Sequence, residues 1–192
     1  MIEWLENIDQ QLLLKINGWH HPILDVFFWY VSKAWAIIPF YLITFYFLMK
    51  DFKVKNSLFM LGFLVVTLAM TDIISKQVFK EGIKRYRPSH NLTLRPKLHL
   101  HKKPSGKVYD GGKYGFFSSH ASNYAGFFFF LWPFYRINRK YWMLMLALVG
   151  ILICYSRMYL GVHYPSDIVA GIMFGASVGL VMQLLFKKLQ RT

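Results

Sequence analysis

Three short polar islands break an otherwise apolar chain, and their residue types suit phosphoryl chemistry. Lys80 to Pro88 reads KEGIKRYRP, Ser118 to His120 reads SSH, and Ser156 to Asp167 reads SRMYLGVHYPSD. Phosphate esters resist hydrolysis because their anionic oxygens repel a nucleophile and an alkoxide leaves poorly, so a catalyst must neutralise charge and supply a proton. The islands carry the groups for both tasks. Fixed cations can hold a tetrahedral phosphate, one imidazole can attack phosphorus, and the other can protonate the departing oxygen.

The spacing is specific: Lys80, six residues, then Arg87 and Pro88; Ser118, Ser119 and His120; then Ser156 and Arg157, five residues, His163, three residues, Asp167. In this order the islands resemble the type 2 phosphatidic acid phosphatase (PAP2) family, which shares its site with vanadium haloperoxidases and glucose-6-phosphatase. The resemblance covers roughly residues 76 to 175. It implies that Lys80, Arg87 and Arg157 clamp the phosphoryl oxygens and that Ser118 donates its hydroxyl beside the N–H groups of Ser119 and His120. It further implies His163 as nucleophile, Asp167 as the carboxylate that orients it, and His120 as general acid for the leaving group and then base for water. No metal or other cofactor is required by such a scheme. The middle island departs from the family's usual Pro-Ser-Gly-His: here it is Phe117, Ser118, Ser119 and His120.

These groups need elements to carry them. The chain has 192 residues, 55% apolar and 19% aromatic, which fits one domain with lipid as its solvent. Apolar runs span about Ala34 to Met49, Leu58 to Phe79, Ala121 to Tyr135, Tyr141 to Tyr155 and Ile168 to Phe186. The expected architecture is therefore all-α, an integral-membrane helix bundle of five to six spans making a single domain over residues 1–192. Residues 1–33 form an interfacial or half-inserted segment, and residues 80–118 an external basic loop. Leu5, Ile8, Leu12, Ile16 and Trp19 recur at helical spacing while Glu3, Glu6, Asp9, Gln10 and Lys15 take other faces, as in a helix lying in the interface. The stretch from His21 to Lys33 is too short for an unaided sixth span. No basic leader precedes a cleavable apolar core, so insertion by the chain's own spans is expected. A helix beginning after His120 would be capped by Ser118 or Ser119 and would offer its free N–H groups to an anion.

Lys and Arg number 23 against 9 acids, a net charge of +14. A nucleic acid is the first partner such a charge suggests, but the cations are distributed otherwise. Lys50, Lys53 and Lys55 lie in one connection, Arg136, Arg139 and Lys140 in another, and Lys187, Lys188 and Arg191 at the C-terminus. Alternate loops with basic clusters follow the positive-inside rule, which places these three in the cytoplasm and the chemical islands outside. No nucleic-acid partner is expected. The segment from Lys80 to Lys113 holds ten Lys or Arg on the external side, which suits an anionic substrate or anionic headgroups around it.

Several residues take quieter readings. Asp72 and Lys76 form an i,i+4 pair beneath the site; Asp25 is a pairing or capping residue; Arg85 and Tyr86 shape the headgroup pocket. His20, His21 and His90 are structural, and His99 with His101 lacks a third ligand. Pro104 to Lys107 is a turn within a segment that suits a small hairpin or lid. Cys154 has no partner and packs in an apolar run. Gly171, Gly175 and Gly179 make a smooth helix face, packed within the chain or against a second copy in a homo-oligomer. The functional expectation is a lipid phosphatase in a bacterial inner membrane, its site facing the periplasm or exterior. Membrane lipids would surround it, and undecaprenyl diphosphate is the first choice of lipid phosphate substrate. Phosphatidylglycerol phosphate, phosphatidic acid and lipid A follow, with a lipid phosphotransferase and a non-catalytic lipid-binding protein as the other classes.

Overall fold

A computed structural model describes residues 2–103 and 105–190; Pro104 and Arg191, both used above, lie outside the described residues. All its regular structure is helical. The helices are α1 (Ile2–Gly18), α2 (Pro22–Val31), α3 (Ile38–Asp51), α4 (Val54–Ile73), the short turn α5 (Glu81–Ile83), α6 (Ser119–Tyr135), α7 (Lys140–Tyr159) and α8 (Pro165–Gln190). A 3₁₀ turn at Ala34–Ile37 leads into α3, and a π-helical segment at Ile74–Lys80 continues α4.

Among the described residues, four stretches are long and apolar enough to cross a membrane: Ala34–Asp51, Val54–Ile83, Lys140–Tyr159 and Pro165–Gln190. The fifth expected run became α6, whose 17 residues rise only about 25 Å. It can be short because it sits in the middle of the bundle, wrapped by α4, α7 and α8. The 10 residues of α2 rise roughly 15 Å, half a hydrocarbon core, so they make no sixth span.

The closest packing is between α6 and α8. A Cβ on Gly175 would stand 2.1 Å from the Ser122 carbonyl oxygen, and one on Gly179 would stand 2.4 Å from that of Gly126. The glycine stripe, expected to pack within the chain or against a second copy, is thus occupied by α6 of the same chain. Its backbone-to-backbone approach is what small residues permit in lipid. Below it, Leu64, Phe127, Phe130, Leu146 and Phe186 make the main core.

The end of the bundle that carries the polar islands has apolar anchors of its own. Phe28 of α2 packs on Tyr159, Leu160 and Val162, and Leu13 of α1 packs on Leu94 and Tyr164. The face of α1 that enters the protein differs from the apolar face that its spacing defines. Leu5, Leu12 and Trp19 stay exposed, whereas Asp9 and Asn17 are buried. Asn17 bridges the Tyr159 carbonyl (2.7 Å) and both backbone groups of His99 (2.8 Å each). The 84–118 segment is held by single bridges, Tyr86 with Tyr114 and Lys102 with Val108, rather than by a regular hairpin.

Candidate active site

Four helix ends converge on the site. The π-helical segment closing α4 carries Lys80, and a wide turn of this kind is frequent where a helix must re-aim a side chain at a functional site. The N-terminus of α6 carries Ser119 and His120, with Ser118 as its N-cap. The last turn of α7 carries Arg157. Beyond it Gly161 takes a φ of +68°, a left-handed turn natural to glycine, and swings the chain so that His163 faces back into the bundle just before Pro165 opens α8. Arg87 follows α5, and its backbone N–H donates to the Lys113 carbonyl at 3.1 Å.

A cavity of about 440 Å³ is lined by Lys80, Arg87, Arg157, Ser119, His120 and His163. Six of the eight expected site residues therefore share one chamber. Asp167 is fully buried behind His163, with Oδ2 at 3.3 Å from Nδ1. Ser118 is the exception. Its hydroxyl is buried and accepts the Ala121 N–H at 3.5 Å, so it caps α6 and does not line the cavity. The hydroxyl nearest the cations is that of Ser119, which accepts from Lys80 Nζ at 2.7 Å and meets Ser75 Oγ at 2.7 Å. Ser119 stands where the family's usual pattern has glycine, and its side chain here orients the lysine.

The state of His163 follows from its partners. Arg87 Nη1 lies 3.0 Å from Nε2, and a guanidinium can only donate, so Nε2 carries the lone pair and Nδ1–H points at Asp167. Burial, and then the cations of Arg87 and Arg157, hold the imidazole well below its ordinary pKa and so neutral. Arg87 itself is brought down to about 10 by burial and by Arg157, leaving it charged near neutral pH. Arg157 donates Nη2–H to Tyr109 OH at 3.0 Å, while its buried Nε and Nη1 have no hydrogen-bond partner among the described residues. Buried guanidinium donors without a partner are costly, and a tetrahedral oxyanion supplies the acceptors they lack.

Sequence reasoning missed a second network. Arg85, expected in the headgroup pocket, turns away from the cavity to Asp167 Oδ1 (2.8 Å) and Asp9 Oδ2 (2.8 Å). Its proximity to Arg87 in the chain carried no hint of this, because the partner comes from α1. Lys33 also lines the cavity, with Nζ 3.3 Å from the centre of the Trp29 ring. Asp72 and Lys76 pair at 2.7 Å on the cavity wall. Asp25 accepts from Tyr159 OH at 2.7 Å and meets His99 Nε2 at 2.8 Å, and His101 stacks on Trp29. Among the described residues no group of three His, Cys, Asp or Glu side chains is placed to hold a metal ion.

Cations and a carboxylate-backed histidine gather at the ends of apolar helices, an arrangement suited to holding a phosphate. The PAP2 superfamily model matches residues 60–191, and the chain belongs to that superfamily. It is a phosphatase integral to the membrane. Over 178 residues it is 34% identical to the lipid A 4'-phosphatase of Porphyromonas gingivalis, covering 93% of this chain and 72% of that one. Over 190 residues it is 34% identical to the lipid A 4'-phosphatase of Bacteroides thetaiotaomicron, covering 98% and 81%. The fold matches the crystal structure of a transmembrane PAP2-type phosphatidylglycerolphosphate phosphatase from Bacillus subtilis, with a TM-score of 0.69 at 20% identity over 96% of this chain and 87% of that one.

Proposed function

We propose that this phosphatase removes a phosphate from lipid A, or from a glycolipid with the same kind of polyanionic headgroup, at the outer face of the membrane. The observation that carries the substrate choice is the 34% identity to two lipid A 4'-phosphatases over nearly the whole chain. It moves lipid A ahead of undecaprenyl diphosphate, the first choice from sequence. The cavity supports the reading, because Lys33 lines it in addition to Lys80, Arg87 and Arg157, while Lys76 is balanced by Asp72, and this is still more positive charge than one phosphate needs. Sidedness is supported by Arg139, which grips Asp51 at 2.8 and 2.6 Å and gathers two basic connections at the end of the bundle opposite the site.

The chemistry needs no metal ion. Lys80, Arg87 and Arg157 bind the phosphoryl oxygens, drawing the Arg87 N–H away from Nε2 of His163 and exposing its lone pair. Nε2 attacks phosphorus as the bond from phosphorus to the lipid oxygen breaks, and His120, protonated once the phosphate anion offsets the neighbouring cations, gives its proton to that oxygen. Asp167 accepts the Nδ1 hydrogen bond and balances the imidazolium that forms. His120, now neutral, takes a proton from water, the hydroxide oxygen bonds to phosphorus, the N–P bond breaks, and inorganic phosphate leaves.

The test is turnover by purified protein, in excess chelator, on lipid A, undecaprenyl diphosphate, phosphatidylglycerol phosphate and phosphatidic acid, with products weighed by mass spectrometry. Fastest phosphate release from lipid A is expected. Preference for undecaprenyl diphosphate would reverse the substrate choice, loss of all activity in chelator would defeat the metal-free route, and phosphate moved to a second lipid would make the protein a phosphotransferase.

A further inference from the structure

Asp167 is gripped from the side opposite His163. Its Oδ2 accepts the Tyr164 N–H at 3.0 Å and faces His163 Nδ1, which leaves Oδ1 for Arg85 Nη1 at 2.8 Å. Arg85 is itself locked: Nη1 also donates to Ser166 Oγ at 2.8 Å, Nη2 donates to Asp9 Oδ2 at 2.8 Å, and the guanidinium lies over the Tyr164 ring at 4.1 Å. Asp9 accepts in addition the Ser166 N–H at 2.9 Å and the Ser166 hydroxyl. Asp9 is only 4% exposed, although Trp4, Leu5 and Leu12 of the same helix stay exposed. A buried carboxylate on the polar side of a surface helix is expensive unless its partner requires it. That partner is the cation behind the carboxylate that orients the proposed nucleophile.

We propose that Asp9 and Arg85 are positioning residues for phosphate transfer, with helix α1 fixing the Arg85 guanidinium, which in turn fixes the plane and distance of the Asp167 carboxylate behind His163. Neither residue lines the cavity, so each is placed to act through Asp167 and not directly on the phosphate. Asp9 also lies before residue 60, where the family match begins, so the brace comes from a part of the chain outside that match. The inference rests on His163 as nucleophile. Substrate binding depends on other residues, so loss of the brace should slow chemistry and leave affinity in place. A helix that merely docked on the bundle would instead affect thermal stability without a selective effect on kcat.

The experiment is a double-mutant cycle on the purified full-length protein, reading kcat, KM, thermal midpoint and the rate of acid-labile phosphoenzyme formation. Arg85→Gln should lower kcat roughly 10–100-fold with KM changed less than about 3-fold, the loss expected when a group that orients a reacting side chain is removed. Arg85→Lys, which keeps the charge but not the fork, should recover part of that loss. In an Asp167→Asn background the same Arg85→Gln change should cost less than about 2-fold, because the group it acts through is already disabled. Asp9→Asn, which keeps shape and one acceptor oxygen, should lower kcat by about 3–10-fold and also serves if Arg85→Gln fails to fold. Losses that multiply fully in the Asp167→Asn background, or an Asp9→Asn protein with unchanged kcat, would overturn the proposal. Phosphoenzyme that persists in His163→Ala would instead overturn the nucleophile assignment, a separate outcome.

Discussion

Nε2 of His163, the proposed attacking atom, accepts from Arg87, so the residue proposed to bind phosphate would also guard the proposed nucleophile. His163→Ala should abolish phosphoenzyme and lower kcat by at least about 10³-fold, read by acid quench with labelled substrate. His120→Asn should slow substrates with poor leaving groups more than those with good ones, and equal slowing would remove it as the acid. The pH dependence has a definite sign. Protonated His163 cannot attack; burial first, then Arg87 and Arg157, hold its pKa well below the ordinary value, so acidification from neutral pH should spare kcat/KM well past about 6.5. Arg87→Gln removes one of those cations, so the acidic loss of kcat/KM should move to higher pH, measured from about pH 5 to 7.5. At this scale the sequence was informative where a residue's type is its chemistry. His120, His163, Lys80, Arg87 and Arg157 stood out for that reason, and they line one chamber. Ser118, given the phosphate-facing hydroxyl by resemblance, caps α6 and Ser119 meets Lys80, because which hydroxyl caps and which faces inward depends on the last half-turn before α6. Arg85 and Asp9 were illegible for a different reason: a cation declares its sign in sequence but not its partner 76 residues away.

Helix ends place those groups, and the contact that sets their spacing is the glycine seam between α6 and α8. His120 rides on the first turn of one helix and Asp167 on the first turn of the other, so a shift along the seam is a shift at the site. A Cβ at Gly175 would meet the Ser122 carbonyl, which is backbone and cannot rotate away. Gly175→Ala should therefore destabilise the protein by about 1–3 kcal/mol and depress kcat, measured by thermal unfolding in detergent and by turnover. Gly62→Ala is the control, since nothing lies within 4 Å of its Cβ, and a slight gain in helix stability is expected there. The four-residue glycine period was readable as a close-packed face, but a period does not identify its partner. The π-helical segment at Ile74–Lys80 had no sequence signal, because Ser75 and Lys80 are drawn to Ser119 by tertiary contact. Apolar spacing along α1 finds the face that lipid accepts, and it could not show that the opposite side docks on the protein, which takes up Asp9 and Asn17 through specific polar partners.

Charge divides the whole molecule into two ends with different uses. At one end Arg139 meets Asp51, and Lys187 lies 5.4 Å from the centre of the Phe134 ring, so the basic clusters legible in sequence do gather together. At the other end the segment from Lys80 to Lys113 is as basic, but its inner members are committed: Lys80 and Arg87 to the cavity, Arg85 to Asp167 and Asp9. Cations engaged in a folded site are not free loop charges, so the basic segment at this end does not contradict the proposed outward orientation. The orientation is open to a direct measurement. Leu92 is 89% exposed in the 84–118 segment and Ile137 is 76% exposed between α6 and α7, so each can report its own side. In a Cys154→Ser background, Leu92→Cys in intact cells should react with a membrane-impermeant maleimide, and Ile137→Cys should react only after the membrane is opened. The converse pattern would put the phosphate chamber in the cytoplasm. Equal reactivity of both before permeabilisation would mean a mixed orientation and would remove the charge argument for sidedness altogether.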